Sequence, residues 1–357
     1  MMVQEIYFLL ITCVSVLLVL LIMPSIIHIA HKYNLFDDHS LSRKEHGYGI
    51  PRLGGVAFFT AIMLTSFFVV KNGTDLPMYQ LYAASLVLFG IGIKDDLAGA
   101  HFHTKLIVQA VVAFIVTVPA EIRLNNLHGL FQVYQLETFP SVLISMLLIM
   151  FIINAFNLID GIDGLAGTLA LIACSTFGFY FETMNQPTLA ALAFAVAGSV
   201  GAFLGYNFSP AKIFMGDAGS MFLGLICAVF ALKFISINET SAFNLNQNAP
   251  VIAVSTLIIP AFDMLNVIAT RIYHKKSPFK PDRNHIHHRM LRLGLTHLQT
   301  TLILGAITVG FITLSALLTN VNTSFMLLFF TSILLLLNKL VNGLVRVKLR
   351  EACPATA

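Results

Sequence analysis

Asn154-Ala-Phe-Asn157-Leu-Ile-Asp160-Gly-Ile-Asp163-Gly-Leu-Ala166 sets two carboxylates, two carboxamides and two glycines between apolar runs long enough to lie in a membrane. Charge is costly there, so ionisable groups at membrane depth or at its edge point to a functional site. Asn157, Asp160 and Asp163 follow at three-residue steps, a spacing that can place their oxygens on adjoining parts of one helical turn. Such a turn could hold a hard cation or a polar ligand. A hydrophilic loop that merely joins two helices has the same composition, and the stretch alone does not separate the two readings.

The rest of the chain agrees with the flanking runs. Of 357 residues 57% are apolar and only 11% charged, which excludes a water-soluble domain of this size. Many runs approach or exceed the roughly 20 apolar residues that cross a bilayer, and none alternates as barrel strands do. The expected fold is therefore an all-α polytopic membrane protein forming one integral membrane domain over 1–357. The four cysteines, at 13, 174, 227 and 353, show no CxxC pair and read as small packing residues. The first apolar stretch, from Ile6 to Ala30, is expected to be a membrane helix rather than a cleaved signal.

Apolar runs bounded by charged or turn-forming residues give eleven helices, near 5–30, 53–71, 78–94, 105–120, 139–158, 164–181, 187–207, 219–236, 250–271, 299–319 and 324–342. Loops 31–52 and 272–298 fall on the side that follows the odd-numbered helices. That side holds 18 of the 21 basic residues; only Lys71, Arg123 and Lys233 fall opposite. An excess of lysine and arginine marks the cytoplasm, so the N-terminus is expected outside and the C-terminus inside. Asp95, Asp96, the Asn157–Asp163 cluster, Asp217 and the histidines at 285–288 all gather on this basic side. A transporter would bury paired charge near the midplane and often show two similar halves, and a scaffold would have no use for the aspartates. Neither pattern is present.

Four constellations carry chemistry. In Gly92-Ile-Lys-Asp95-Asp96 two adjacent carboxylates need a cation, a lysine or water to offset them, and can share a metal or divide the work of base and orienter. An exposed helix end with Lys94 as counter-charge would look the same. Lys105, at the mouth of the next helix, could hold a phosphate or simply snorkel. Phe214-Met-Gly-Asp217-Ala-Gly-Ser220 lets backbone approach a ligand closely, and one carboxylate among phosphate-facing amides suits Mg²⁺. His285-Ile-His287-His288-Arg289, with Arg283 upstream, fits a diphosphate clamp better than a zinc site, because no thiolate accompanies it; a lipid-headgroup patch is the plainer alternative. The first basic loop, with Lys44 and His46, could border a polar substrate or serve only topology.

These motifs resemble the polyprenyl-phosphate N-acetylhexosamine-1-phosphate transferases. The resemblance rests on IPRLGG at 50–55, the aspartate pair at 95–96, NLIDGIDGLA at 157–166, FMGDAGS at 214–220 and HIHHR at 285–289, and covers nearly the whole chain. The histidine segment and IPRLGG are similar to the WecA/TagO branch, which uses UDP-GlcNAc, more than to the MraY branch, which uses UDP-MurNAc-pentapeptide.

The resemblance implies ten or eleven membrane helices, an active site open to the cytoplasm of the bacterial inner membrane, and transfer of a sugar 1-phosphate from a UDP-sugar to undecaprenyl phosphate with release of UMP. It implies Asp217, with Asn157, as the Mg²⁺ site, Mn²⁺ being a possible substitute. Asp95 would deprotonate or orient the lipid phosphate, Asp96 would support it, and Lys105 would pair with a phosphate. Asn157, Asp160 and Asp163 would line the nucleotide end, with Phe214 as a stacking partner for uracil. His285, His287 and His288, with Arg283 and Arg289, would hold the diphosphate or sugar. A homodimer is what the resemblance suggests; nucleic acid is not an expected partner.

Overall fold

The computed structural model describes residues 2–35, 49–69, 76–240, 248–275, 285–318 and 321–352. Lys44, His46 and Arg283 lie outside the described residues. Thirteen α-helices follow one another among them: α1 (Met2–Lys32), α2 (Gly54–Val69), α3 (Met78–Ala98), α4 (Phe102–Thr117), α5 (Thr138–Ile159), α6 (Leu165–Thr183), α7 (Pro187–Asn207), α8 (Gly216–Thr240), α9 (Ala249–Thr256), α10 (Ile258–Tyr273), α11 (Ile286–Arg292), α12 (His297–Leu317) and α13 (Thr323–Ala352). Seven are long and apolar enough to cross a membrane, or eight when α9 and α10 count as one span. The chain is an all-helical, multi-pass membrane protein.

The sequence reading needs three corrections. The run 250–271 is not one straight helix: α9 and α10 meet at Leu257 with a bend of 74°. Pro260 accounts for it, because proline has no N–H to donate to the carbonyl four residues back and its ring clashes there. The segment 272–298, expected as a loop, contains the short helix α11. Finally, α3 runs on to Ala98 and α4 starts at Phe102, so Asp95 and Asp96 stand in a last helical turn and Lys105 in a first one.

Helix α8 forms the centre and is buried along most of its length, while α1 and α13 present most of theirs outward. Large side chains such as Phe67, Phe68, Leu328 and Leu336 are exposed, as suits lipid as solvent. Without a hydrophobic drive between helices, close packing holds the bundle, and small residues permit it. Gly55 lies against the backbone of Gly219, and Gly92 against that of Ala218, where a Cβ would come within 2.3 Å of the Ala218 Cα. That approach brings the end of α3 onto the start of α8.

Overpacking a close contact of this kind costs about 1–3 kcal/mol. Gly92→Val is therefore expected to lower the unfolding temperature in detergent, whereas Gly90→Val, on an open face of the same helix, should leave it near wild type. Equal losses in the two variants would assign the effect to the helix itself and not to the α3–α8 contact.

Candidate active site

The ends of α3, α5 and α7 and the starts of α2, α4, α6, α8 and α12 meet at one end of the bundle. Strand-like backbone bonds begin the assembly: Phe214 N–H donates to Pro51 O, and Gly54 and Gly55 N–H donate to Phe214 O and Met215 O, at 2.8–2.9 Å. They fix the turn into α8. Gly216 takes φ +77°, and a Cβ there would strike the Arg52 carbonyl and the Asp96 carboxylate. Only glycine fits such a turn without strain.

Asp96 then caps α8. Its Oδ1 accepts the Asp217 N–H at 2.7 Å and its Oδ2 accepts the Ala218 N–H at 3.0 Å, satisfying amides that a helix start leaves open. Asp95 turns the other way: Oδ1 accepts the Ala100 N–H at 2.6 Å, and Oδ2 accepts from Lys105 Nζ at 2.8 Å. Lys105 Nζ also donates to Asp217 Oδ2. One ammonium thus bridges a carboxylate from the end of α3 and one from the start of α8. Asn157, on the last turns of α5, donates from Nδ2 to Ser220 Oγ at 3.0 Å, three residues after Asp217.

Asn157, Asp160 and Asp163 do not share one helical turn. Helix α5 stops at Ile159, Asp160 is its C-cap, and Gly164 adopts φ +79° to start α6. The Gly164 N–H donates to Asn207 Oδ1 at 2.9 Å, while Asn207 Nδ2 donates to Ile213 O. Asp163 is nearly buried beside His297, whose Nδ1 lies 3.2 Å from Oδ2, and Thr301 Oγ1 donates to the Asp163 carbonyl. Burial opposes the Asp163 charge, but the hydrogen bond and charge of His297 prevail and hold the carboxyl below its ordinary value.

The histidines occupy three different environments. His285 Nδ1 lies 2.7 Å from Asp263 Oδ2, deep against α10. His287 is fully buried, neither ring nitrogen has a hydrogen-bond partner among the described residues, and its edge rests on Gly161. Burial pushes it down to about 3 despite the nearby Asp263 charge. His288 alone of the three reaches the cavity. Arg289, expected at the diphosphate, instead donates from Nη1 to Asn338 and Asn342 of α13.

A cavity of about 340 Å³ opens here, lined by Asp160, Asp163, Phe214, Asp217 and His288. Arg52, which the sequence offered only as part of the first basic loop and the IPRLGG motif, stands on its wall; sequence reasoning missed Asn207 and His297 there, and Asp263 behind it. Asp263 carried a readable signal, an ionisable residue inside an apolar run. Asn207 and His297 carried none beyond their nearness to helix ends.

Residues 78–235, which include Asp95 through Asp217, match the family described as glycosyl transferase family 4. The chain is 33% identical over 344 residues to a Bacillus subtilis protein named "Probable undecaprenyl-phosphate N-acetylglucosaminyl 1-phosphate transferase", covering 94% of this chain and 92% of that one. The chain belongs to glycosyl transferase family 4. Relatives named undecaprenyl-phosphate alpha-N-acetylglucosaminyl 1-phosphate transferase, from Salmonella typhi and Escherichia coli strain K12, are 30% and 31% identical over 76% of this chain and 73% of theirs.

In this family 4 member the carboxylates crowd one another. Burial first, then the facing charges of Asp217 and Asp96, push Asp160 up to about 8, with Arg52 opposing. A raised carboxyl binds its proton more tightly folded than unfolded, so stability falls as pH climbs from the ordinary carboxylate range toward 8. Asp160→Asn removes that loss. Without divalent cation, the variant is expected to unfold at a higher temperature than wild type at pH 8.5, with the gap narrowing toward pH 5. A gap independent of pH would refute the shift.

Proposed function

We propose that the protein transfers N-acetylglucosamine 1-phosphate from UDP-GlcNAc to undecaprenyl phosphate, giving undecaprenyl-diphosphate-GlcNAc and UMP. The observation that carries this reading is the convergence of Asp95, Lys105 and Asp217 beside a polar cavity. The reaction must bring two phosphates together at a membrane face. Convergent carboxylates and an ammonium at one end of an apolar bundle suit that task, and the names of the relatives give the same donor group and acceptor.

An oxygen of the lipid phosphate attacks the β-phosphorus of the donor. The bond from that phosphorus to the bridging oxygen breaks, and UMP leaves with the oxygen and the electron pair. Asp95, held by Ala100 N–H and Lys105, takes the proton of a singly protonated acceptor phosphate. Asp96 supports the reaction indirectly by fixing the start of α8, and hence Asp217. Lys105 offsets the charge of the approaching phosphates. Phe214, Asp163, His297 and Asn207 form the wall that receives the nucleotide, and His288 faces the diphosphate. Direct attack, without a covalent adduct on an aspartate, is the path assigned.

Asp217 is the residue assigned to Mg²⁺, with Mn²⁺ as substitute. No group of three or more acidic, histidine or cysteine side chains able to hold a metal occurs among the described residues. A cavity-facing carboxylate nevertheless suits a hard ion that takes its remaining oxygens from phosphate and water. When bound, such an ion would neutralise charge on the departing phosphate.

The topology assigned is eleven spans. They are the seven long helices, the bent α9–α10 pair, and α2, α3 and α4, with the N-terminus outside and the site facing the cytoplasm of the bacterial inner membrane. A homodimer is the assembly assigned.

The decisive assay is UMP release by purified protein with undecaprenyl phosphate and Mg²⁺, comparing UDP-GlcNAc, UDP-GalNAc and UDP-MurNAc-pentapeptide. Fastest release with UDP-GlcNAc, dependent on both lipid and metal, is expected. Asp217→Asn should lose at least about 100-fold in turnover while eluting as folded protein. Mg²⁺-dependent turnover at the wild-type rate in that variant would remove the metal assignment, and preference for another donor would replace the sugar.

A further inference from the structure

The reaction above makes no use of Asp263, although its carboxylate is only 2% exposed. It stands on α10, six residues past the bend at Leu257, directly after the apolar stretch Ile258–Phe262. A buried charge persists only where partners satisfy it. Asp263 has two: Oδ1 accepts the Ile286 N–H at 2.7 Å, and Oδ2 lies 2.7 Å from His285 Nδ1.

Both partners sit at the start of α11, which begins at Ile286 with His285 as its N-cap. One carboxylate therefore fixes both the position and the rotation of that helix's first turn. The consequences follow along the turn. The His285 and His287 rings lie nearly parallel, with centroids 5.5 Å apart, and His287 and His288 follow at 4.3 Å. His287 is wedged against Gly161, where a Cβ would come within 2.3 Å of its Nε2. His288, next in line, reaches the cavity wall, which Asp263 itself does not touch.

We propose that Asp263 is a positioning residue: through His285 and the Ile286 amide it sets α11 so that His288 faces the cavity that receives the donor. This rests on the UDP-sugar reading given above. It differs from a merely stabilising cap in one measurable respect: if Asp263 acts through His288, losing both should cost little more than losing His288 alone. A cap that only stabilises the fold would add its effect independently.

The test is a double-mutant cycle on the full-length protein, with kcat and the donor KM measured by UMP release from UDP-GlcNAc. Asp263→Asn and His288→Gln are each expected to lower kcat/KM about 100-fold, the scale of a misplaced contact group. The double variant should fall within about threefold of His288→Gln. Losses that multiply would overturn the proposal, as would wild-type kinetics in either single variant. Should Asp263→Asn not elute as folded protein, His285→Gln takes its place in the cycle with the same expectation. A folded wild-type protein that releases no UMP from any donor would instead remove the functional reading, and this inference with it.

Discussion

Lys105 must answer two carboxylates at once, and much of the bundle is arranged so that it can. Asp95 comes from the C-terminal end of α3, where the helix dipole disfavours a negative charge, and Asp217 from the N-terminal start of α8, where it is favoured. Two like charges brought together near a membrane interface repel, and an ammonium between them offsets both. The arrangement needs α3 and α8 in backbone contact, which Gly92 and Ala218 permit. It also needs α8 to start at a defined residue, which Asp96 enforces by accepting two amides. Packing, capping and charge are here one constraint, and neither carboxylate could be held in place by packing alone.

That constraint explains what the sequence makes legible. Polar groups are so costly beside apolar runs that they stand out, and Asp95, Asp96, Asp160, Asp163, Asp217 and His288 do meet around one cavity or its supporting shell. The helical character is equally plain, since long apolar runs leave a chain few other structures. What is not legible is direction. Three-residue spacing could set Asn157, Asp160 and Asp163 on adjoining parts of one turn, but α5 stops at Ile159 with Asp160 as its C-cap and Gly164 starts α6, so the three lie across a turn between helices. Arg289 follows a histidine segment and looks like part of its clamp, yet it turns to two asparagines fifty residues on.

The bend at Leu257 shows how a local signal can be present and still be passed over. Pro260 marks a break for any helix, and Asp263 is a buried charge inside an apolar run. Read as one straight span, 250–271 hides both; read as two pieces, the proline explains the kink and the kink explains how α10 brings its aspartate to α11. Asn207 and His297 are different. Their roles depend on contacts with Gly164 and Asp163, more than forty and more than a hundred residues away, and no spacing rule reaches so far.

The segment His285-Ile-His-His288 carries the last step. Three histidines within four positions invite one role for all, but the fold gives each a different neighbour. His285 is held by a carboxylate. His287 is fully buried, which pushes it down to about 3, and its contact with Gly161 makes it a wedge between α11 and the α5–α6 turn. Of these three only His288 lines the cavity, together with His297 of α12. The other two hold α11, His285 through Asp263 and His287 against Gly161, and so keep His288 on that wall.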